Sequence, residues 1–232
     1  MKNDITIARI IGACFLISMT ASMIYTNFYS FHFYGPLADI YPNKSQVIIG
    51  ALLELTNCVA VVGIAVMLFG ILKRHNSHLA LWYFGFRMIE VAVLIVGIIS
   101  GLLLIKLSQG SIQAGAGDAT LFQTMGSLAL EGKHIGLQFV LVICGLGGLI
   151  LTAMLYQSRI IPRFLSLWGF VGYVLVVASA ILDLLGIIDT VHGNGVMMYI
   201  PGGLFEAIAF PLWLIIKGFA SPGTLGESSP NP

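Results

Sequence analysis

The stretch "YFGFRMIEVAVLIV", residues 83–96, is apolar along its length except at Arg87 and Glu90. Taken with its neighbours from 79 to 106, it exceeds the roughly 20 residues that a helix needs to cross a hydrocarbon core of about 30 Å. Arg87 and Glu90 then lie within the membrane, Glu90 near its middle, where an ionisable side chain costs at least about 2.5 kcal/mol unless it faces other protein or water. At positions i and i+3 they share a face and can pair along their own helix. Two readings stay open: a neutralised strut that bonds neighbouring helices, or a pair that meets a ligand.

The rest of the chain fits the same setting. Of its 232 residues 58% are hydrophobic and 9% charged, with a mean hydropathy of +0.96; soluble proteins carry about 25% charged residues. Six apolar segments, at 8–30, 47–72, 79–106, 128–156, 164–188 and 199–218, predict an all-α polytopic transmembrane bundle. Between them "GPLADIYPNKS", "KRHNSH", "SQGSIQAGAGDATLFQ", "QSRIIPR" and "DTVHGNG" carry the Gly, Pro, Asn and charge signals of loops. Residues 1–219 form one six-helix domain on this reading, and the Pro-rich tail 220–232 is a flexible cytoplasmic extension. The N-terminus has the charged head and apolar stretch of a signal peptide, yet the apolar run continues through Ile24 and Tyr25 toward Phe33, which suits a retained anchor.

Orientation follows from the basic residues near the span ends. Lys2, Arg9, Lys73, Arg74, Arg159, Arg163 and Lys217 fall on one side, and Lys44, Lys106 and Lys133 on the other, which puts both termini in the cytoplasm. A net charge of +1 spread along the chain leaves no basic patch for a nucleic-acid partner. Cys14, Cys58 and Cys144 are isolated in apolar runs and read as core residues. "LALWYFGF" (79–86) and "LSLWGFVG" (165–172) echo each other, as duplicated hairpins would, although interfacial aromatics give the same pattern.

Depth and helical phase place the remaining polar groups. At about 1.5 Å per residue, Glu54 and Glu206 lie roughly 10 Å and Asp183 about 8 Å below the outer surface, and Glu90 near the middle. Each span owns one polar seam: Cys14, Ser18, Ser22, Tyr25 and Tyr29; Gly50, Glu54, Asn57 and Val61; Tyr83, Arg87, Glu90 and Leu94; Ser127, Glu131, His134 and Gln138; Ser179, Asp183 and Gly186; Gly203, Glu206, Phe210 and Trp213. Gly132 and Gly136 suggest a small-residue surface for a close helix neighbour. The acids Glu54, Glu90, Glu131, Asp183 and Glu206 outnumber Arg87, Lys133 and a titratable His134. Protonated carboxyls, a bound cation or water would each relieve that excess, and Asp183 serves equally as a helix-end cap.

The candidate ligand-binding set is therefore Glu54, Asn57, Arg87, Glu90, Glu131, His134, Gln138 and Glu206. Glu131 and His134, spaced i and i+3, resemble half of a helical-bundle metal site, which Glu54 and Glu206 would complete; the alternative is a hydrogen-bonded helix entrance. His75, His78 and His192 read as solvated loop residues, Pro201 as a first-turn residue, and Pro211 as a kink that frees a carbonyl near Ala207. No nucleophile elbow, phosphate loop, His-Glu-x-x-His or Cys-x-x-Cys pattern occurs, so no reaction is named.

"FRMIE" (86–90), "YQSRIIPRFLSLWGFVGY" (156–173) and "PGGLFEAIAFPLWLIIKGF" (201–219) together resemble the bacterial membrane-protein family catalogued as domain-of-unknown-function family 4386. The resemblance spans nearly all of the chain. It implies a six-helix bacterial inner-membrane protein and assigns no activity, cofactor or site residue. The leading expectation is an outward-facing acidic pocket that binds a small molecule or cation, as carrier or sensor. Glu54, Glu90, Glu131 and Glu206 would set charge selectivity, Arg87 would orient an anionic group, and His134 would titrate near neutral pH. The alternatives are an intramembrane metal-assisted enzyme acting on a lipid or quinone-like substrate, and an accessory protein whose seams only hold helices together. Ligand, metal and oligomeric state stay unassigned.

Overall fold

A computed structural model describes residues 2–33, 36–113, 115–190 and 193–219, so His192 and the tail 220–232 lie outside it, as does the side chain of Tyr29. The regular structure of the described residues is all helical: α1 (Lys2–Phe33), α2 (Lys44–Leu72), α3 (Ser77–Gln113), α4 (Gly115–Ser158), α5 (Arg163–Leu184), α6 (Ile200–Leu204) and α7 (Phe210–Ile216). Six spans are long and apolar enough to cross a membrane, the last running over Gly195–Ile216. Large apolar side chains such as Val59, Val66, Ile99 and Leu128 are exposed on the outside of the bundle, as a lipid-facing surface requires.

Two elements differ from expectation. The stretch 108–123, expected as a loop, continues α3 to Gln113 and α4 back to Gly115, so the two longest helices form a hairpin. Gly110 acts by packing instead of breaking: a Cβ on it would come within 2.6 Å of the Phe122 ring. The last span is not one α-helix. A 3-10 segment, Asn194–Tyr199, leads into α6, and the π-helical turn Phe205–Ala209 joins α6 to α7. Phe210 N–H there bonds to Phe205 O, five residues back, and the wider turn lies just ahead of Pro211, which has no N–H to offer Ala207.

Gly186, placed on the polar seam of the fifth span, is a helix stop. It has φ +68°, and its N–H bonds to Asp183 O at 2.8 Å while Ile187 N–H bonds to Leu182 O at 2.9 Å. This is the left-handed cap that only glycine adopts without a steric penalty.

The bundle closes on itself at the end where α1 begins and α7 ends. Arg9 Nε donates to Ile215 O at 3.2 Å, and Ala8, Ile11, Leu72, Leu155, Ile161 and Leu214 belong to one buried core. A smaller cluster of Ile40, Val47, Leu104 and Ile105 packs the opposite end, where Tyr41 N–H donates to Ser108 Oγ at 2.9 Å. One helix contact is backbone on backbone: a Cβ on Gly172 in α5 would stand 2.7 Å from Gly202 Cα in α6. Gly132 and Gly136 do not seat a neighbour, because nothing lies within 4 Å of a Cβ at either.

Candidate functional site

That open space is part of a cavity of about 920 Å³ between the two packed ends. All six spans contribute to its wall. At its deep side lies Arg87, 2% exposed. Arg87 Nη1 donates to Glu90 Oε2 at 3.0 Å and Oε1 at 3.2 Å, while Nη2 donates to Glu206 Oε1 at 2.8 Å. Its guanidinium carbon stands 5.7 Å from the Tyr83 ring centre, and Nη1 reaches Cys144 Sγ at 3.5 Å. Arg87 thus joins α3 to the π-helical turn that holds Glu206. Two carboxylates around one guanidinium leave a formal charge of −1 on this cluster when all are ionised.

A second polar group runs from α1 to α2. Ser18 Oγ donates to Asn57 Oδ1 at 2.6 Å, and Asn57 Nδ2 donates to Glu54 Oε1 at 3.3 Å. Glu54 is 4% exposed, and its other oxygen, Oε2, is buried with no hydrogen-bond partner among the described residues. Arg87 Nε and the hydroxyls of Tyr83 and Tyr173 share that condition. Glu54, Arg87 and Tyr173 line the cavity, and buried polar atoms in folded proteins nearly always have partners, so their three orphaned atoms call for an occupant or water.

Near the far end, Asp183 accepts three bonds: from His134 Nε2 at 3.0 Å, from Thr190 N–H at 2.8 Å and from the Thr190 hydroxyl. Gln138 Nε2 donates to Thr190 Oγ1 at 3.0 Å, and Tyr199 donates to Gln138 Oε1 at 3.3 Å. These bonds fasten the segment after α5 across to α4. Across the cavity, Lys133 donates to the Tyr25 hydroxyl and lies 5.1 Å from its ring centre.

Seven of the eight candidate residues line the cavity: Glu54, Asn57, Arg87, Glu90, Glu131, His134 and Glu206. Gln138 is fully buried and bonded into the Thr190 network instead of lining it. The expectation that Arg87 receives an anionic ligand group meets a physical obstacle, since both of its terminal nitrogens already hold carboxylates. The metal alternative of Glu131, His134, Glu54 and Glu206 is not assembled. Among the described residues no three His, Cys, Asp or Glu side chains come together to hold an ion, because His134 turns to Asp183 while Glu131 stays exposed.

Sequence reasoning misses two partners. Glu206 reads there as a free cavity acid, and nothing in its spacing announces a bond to a residue 119 positions earlier. Asp183 reads equally as a cap, although its depth, similar to that of His134, is a signal that the two can meet. With Asp189 added, six of the ten Asp and Glu residues line this one cavity, against Arg87, Lys133 and His134.

An all-helical chain with six apolar spans and a polar interior is a multi-pass integral membrane protein. The chain belongs to the family described as Domain of unknown function (DUF4386), whose family model matches residues 9–218. No curated protein and no solved structure matches it.

Proposed function

We propose that the cavity receives a small organic cation, which the protein carries or senses, with Glu54 as the residue that reads its charge. The observation that carries this reading is the buried, partnerless Oε2 of Glu54 on a cavity lined by six acidic residues. A volume of about 920 Å³ suits an organic molecule, since ligand pockets run to about 300–1,000 Å³ and a bare ion needs far less. Apolar side chains, among them Met19, Leu94, Leu137 and Val140, complete the wall and favour a lipophilic body behind the charge. The basic residues gathered at the terminal end support cytoplasmic termini and a cavity opening to the outer face, and the resemblance to a bacterial membrane-protein family supports residence in the inner membrane.

Tetraphenylphosphonium and tetraphenylborate, of equal size and opposite charge, test this in detergent-solubilised protein by thermal shift and equilibrium binding. The phosphonium is expected to bind at least about tenfold more tightly than the borate, and Glu54→Gln to remove most of that preference, about 1.4 kcal/mol. Equal binding of both ions, or an unchanged preference in Glu54→Gln, overturns the reading. The charge comparison on the unaltered chain decides the matter even if the variant folds poorly.

A further inference from the structure

At the terminal end of the bundle a second, separate cavity of about 430 Å³ is lined by Arg159, Ile160, Ile161, Pro162, Arg163, Trp213, Lys217 and Gly218. We propose that it is a binding site for the phosphate headgroup of an anionic phospholipid. Three cations from two distant parts of the chain meet there, the turn between α4 and α5 and the end of α7, and among the described residues no acidic side chain lines the cavity. All three cations are exposed, so their charge is not spent on a buried partner.

Arg159 has φ 55° and is the one described non-glycine residue with positive φ. Glycine suits that backbone better, so a long cationic side chain is kept there against local preference. Arg163 lies over the Tyr156 ring, 5.4 Å from its centre, which restricts its guanidinium beside the cavity. Arg163 also opens α5, whose first N–H groups add partial positive charge to the same place. Guanidinium groups match phosphate oxygens in pairs, and basic pockets between helices at the membrane surface take phosphate headgroups.

Phosphate could come from a lipid or from solution, and the surroundings favour the lipid. Directly beyond the cations on the two helices lie Phe164, Leu167, Leu212 and Ile216, all apolar and exposed. Acyl chains attached to a headgroup in this cavity would run along such a surface, whereas free phosphate has no use for it. Trp213, half-buried in the cavity wall, is the amphipathic aromatic expected at headgroup level.

Native mass spectrometry of the full chain, titrated with phosphatidylglycerol, phosphatidylcholine of the same acyl chains, and inorganic phosphate, tests the site. Phosphatidylglycerol is expected to bind at least about tenfold more tightly than phosphatidylcholine. The triple variant Arg159→Gln, Arg163→Gln, Lys217→Gln should bind the two lipids alike. Equal binding of both lipids by the unaltered chain overturns the proposal, as does undiminished preference in the triple variant. Inorganic phosphate that displaces phosphatidylglycerol at equal concentration would make solution phosphate the ligand and overturn it too. Because the headgroup comparison uses the unaltered chain, it is decisive even if the triple variant misfolds.

Discussion

Arg87→Met is expected to lower unfolding free energy by about 3–5 kcal/mol, the scale seen when one partner of a buried ion pair is removed. The substitution roughly conserves apolar volume, so the loss comes from charge. Glu90 and Glu206 would remain buried, facing each other across the place the guanidinium occupied, where Arg87 now holds them at 3.0 and 2.8 Å. Two carboxylates in that position must protonate or draw water into the bundle. Arg87→Lys should recover only part of the loss, because one ammonium cannot span both acids as the planar fork does. Combining Arg87→Met with Glu90→Gln and Glu206→Gln should restore most of it, since the uncompensated charges go as well. Thermal melting in detergent, followed by intrinsic fluorescence, reads all three. A single variant as stable as the unaltered chain would show that Arg87 does not hold these acids.

The second large effect is expected at Gly172. A Cβ there meets backbone: Gly202 Cα at 2.7 Å, Gly202 N at 2.8 Å and Pro201 C at 3.1 Å. Backbone cannot rotate aside as a side chain can, so α5 and α6 must separate. Gly172→Ala should cost about 1–3 kcal/mol, and Gly172→Val more. The separation would also draw the π-helical turn, and Glu206 with it, away from Arg87. Gly132→Ala and Gly136→Ala are the matched controls. With nothing within 4 Å of either Cβ, each should change stability by less than about 0.5 kcal/mol. Equal melting of Gly172→Val and Gly132→Ala would refute the packing assigned to the α5 to α6 contact.

The six spans are legible in the sequence because a long apolar run, in a chain with so little charge, finds its solvent only in lipid. Buried Glu54, Arg87, Glu90 and Glu206 are legible for a related reason: charge at membrane depth must turn inward, and helical phase says which neighbours turn with it. Pairings between helices are not legible. His134 lies nearer Glu131 in sequence, yet it bonds to Asp183, which α5 brings to it. The hairpin at 108–123 escapes a reading by residue type because glycine marks a turn in one setting and a close contact in another; Phe122 over Gly110 decides which. Gly132 and Gly136 mislead for the converse reason, since small residues permit a neighbour without requiring one.

Phe205–Ala209 takes up one more residue than an α-helical path of the same rise, so Ile200–Leu204 is rotated by about 100° relative to a straight continuation of Phe210–Ile216. Which side of the last span meets Gly172 is therefore a matter of residue count more than of residue type. A single deletion within 205–209 would re-aim the whole entry to that span while leaving its hydropathy nearly untouched.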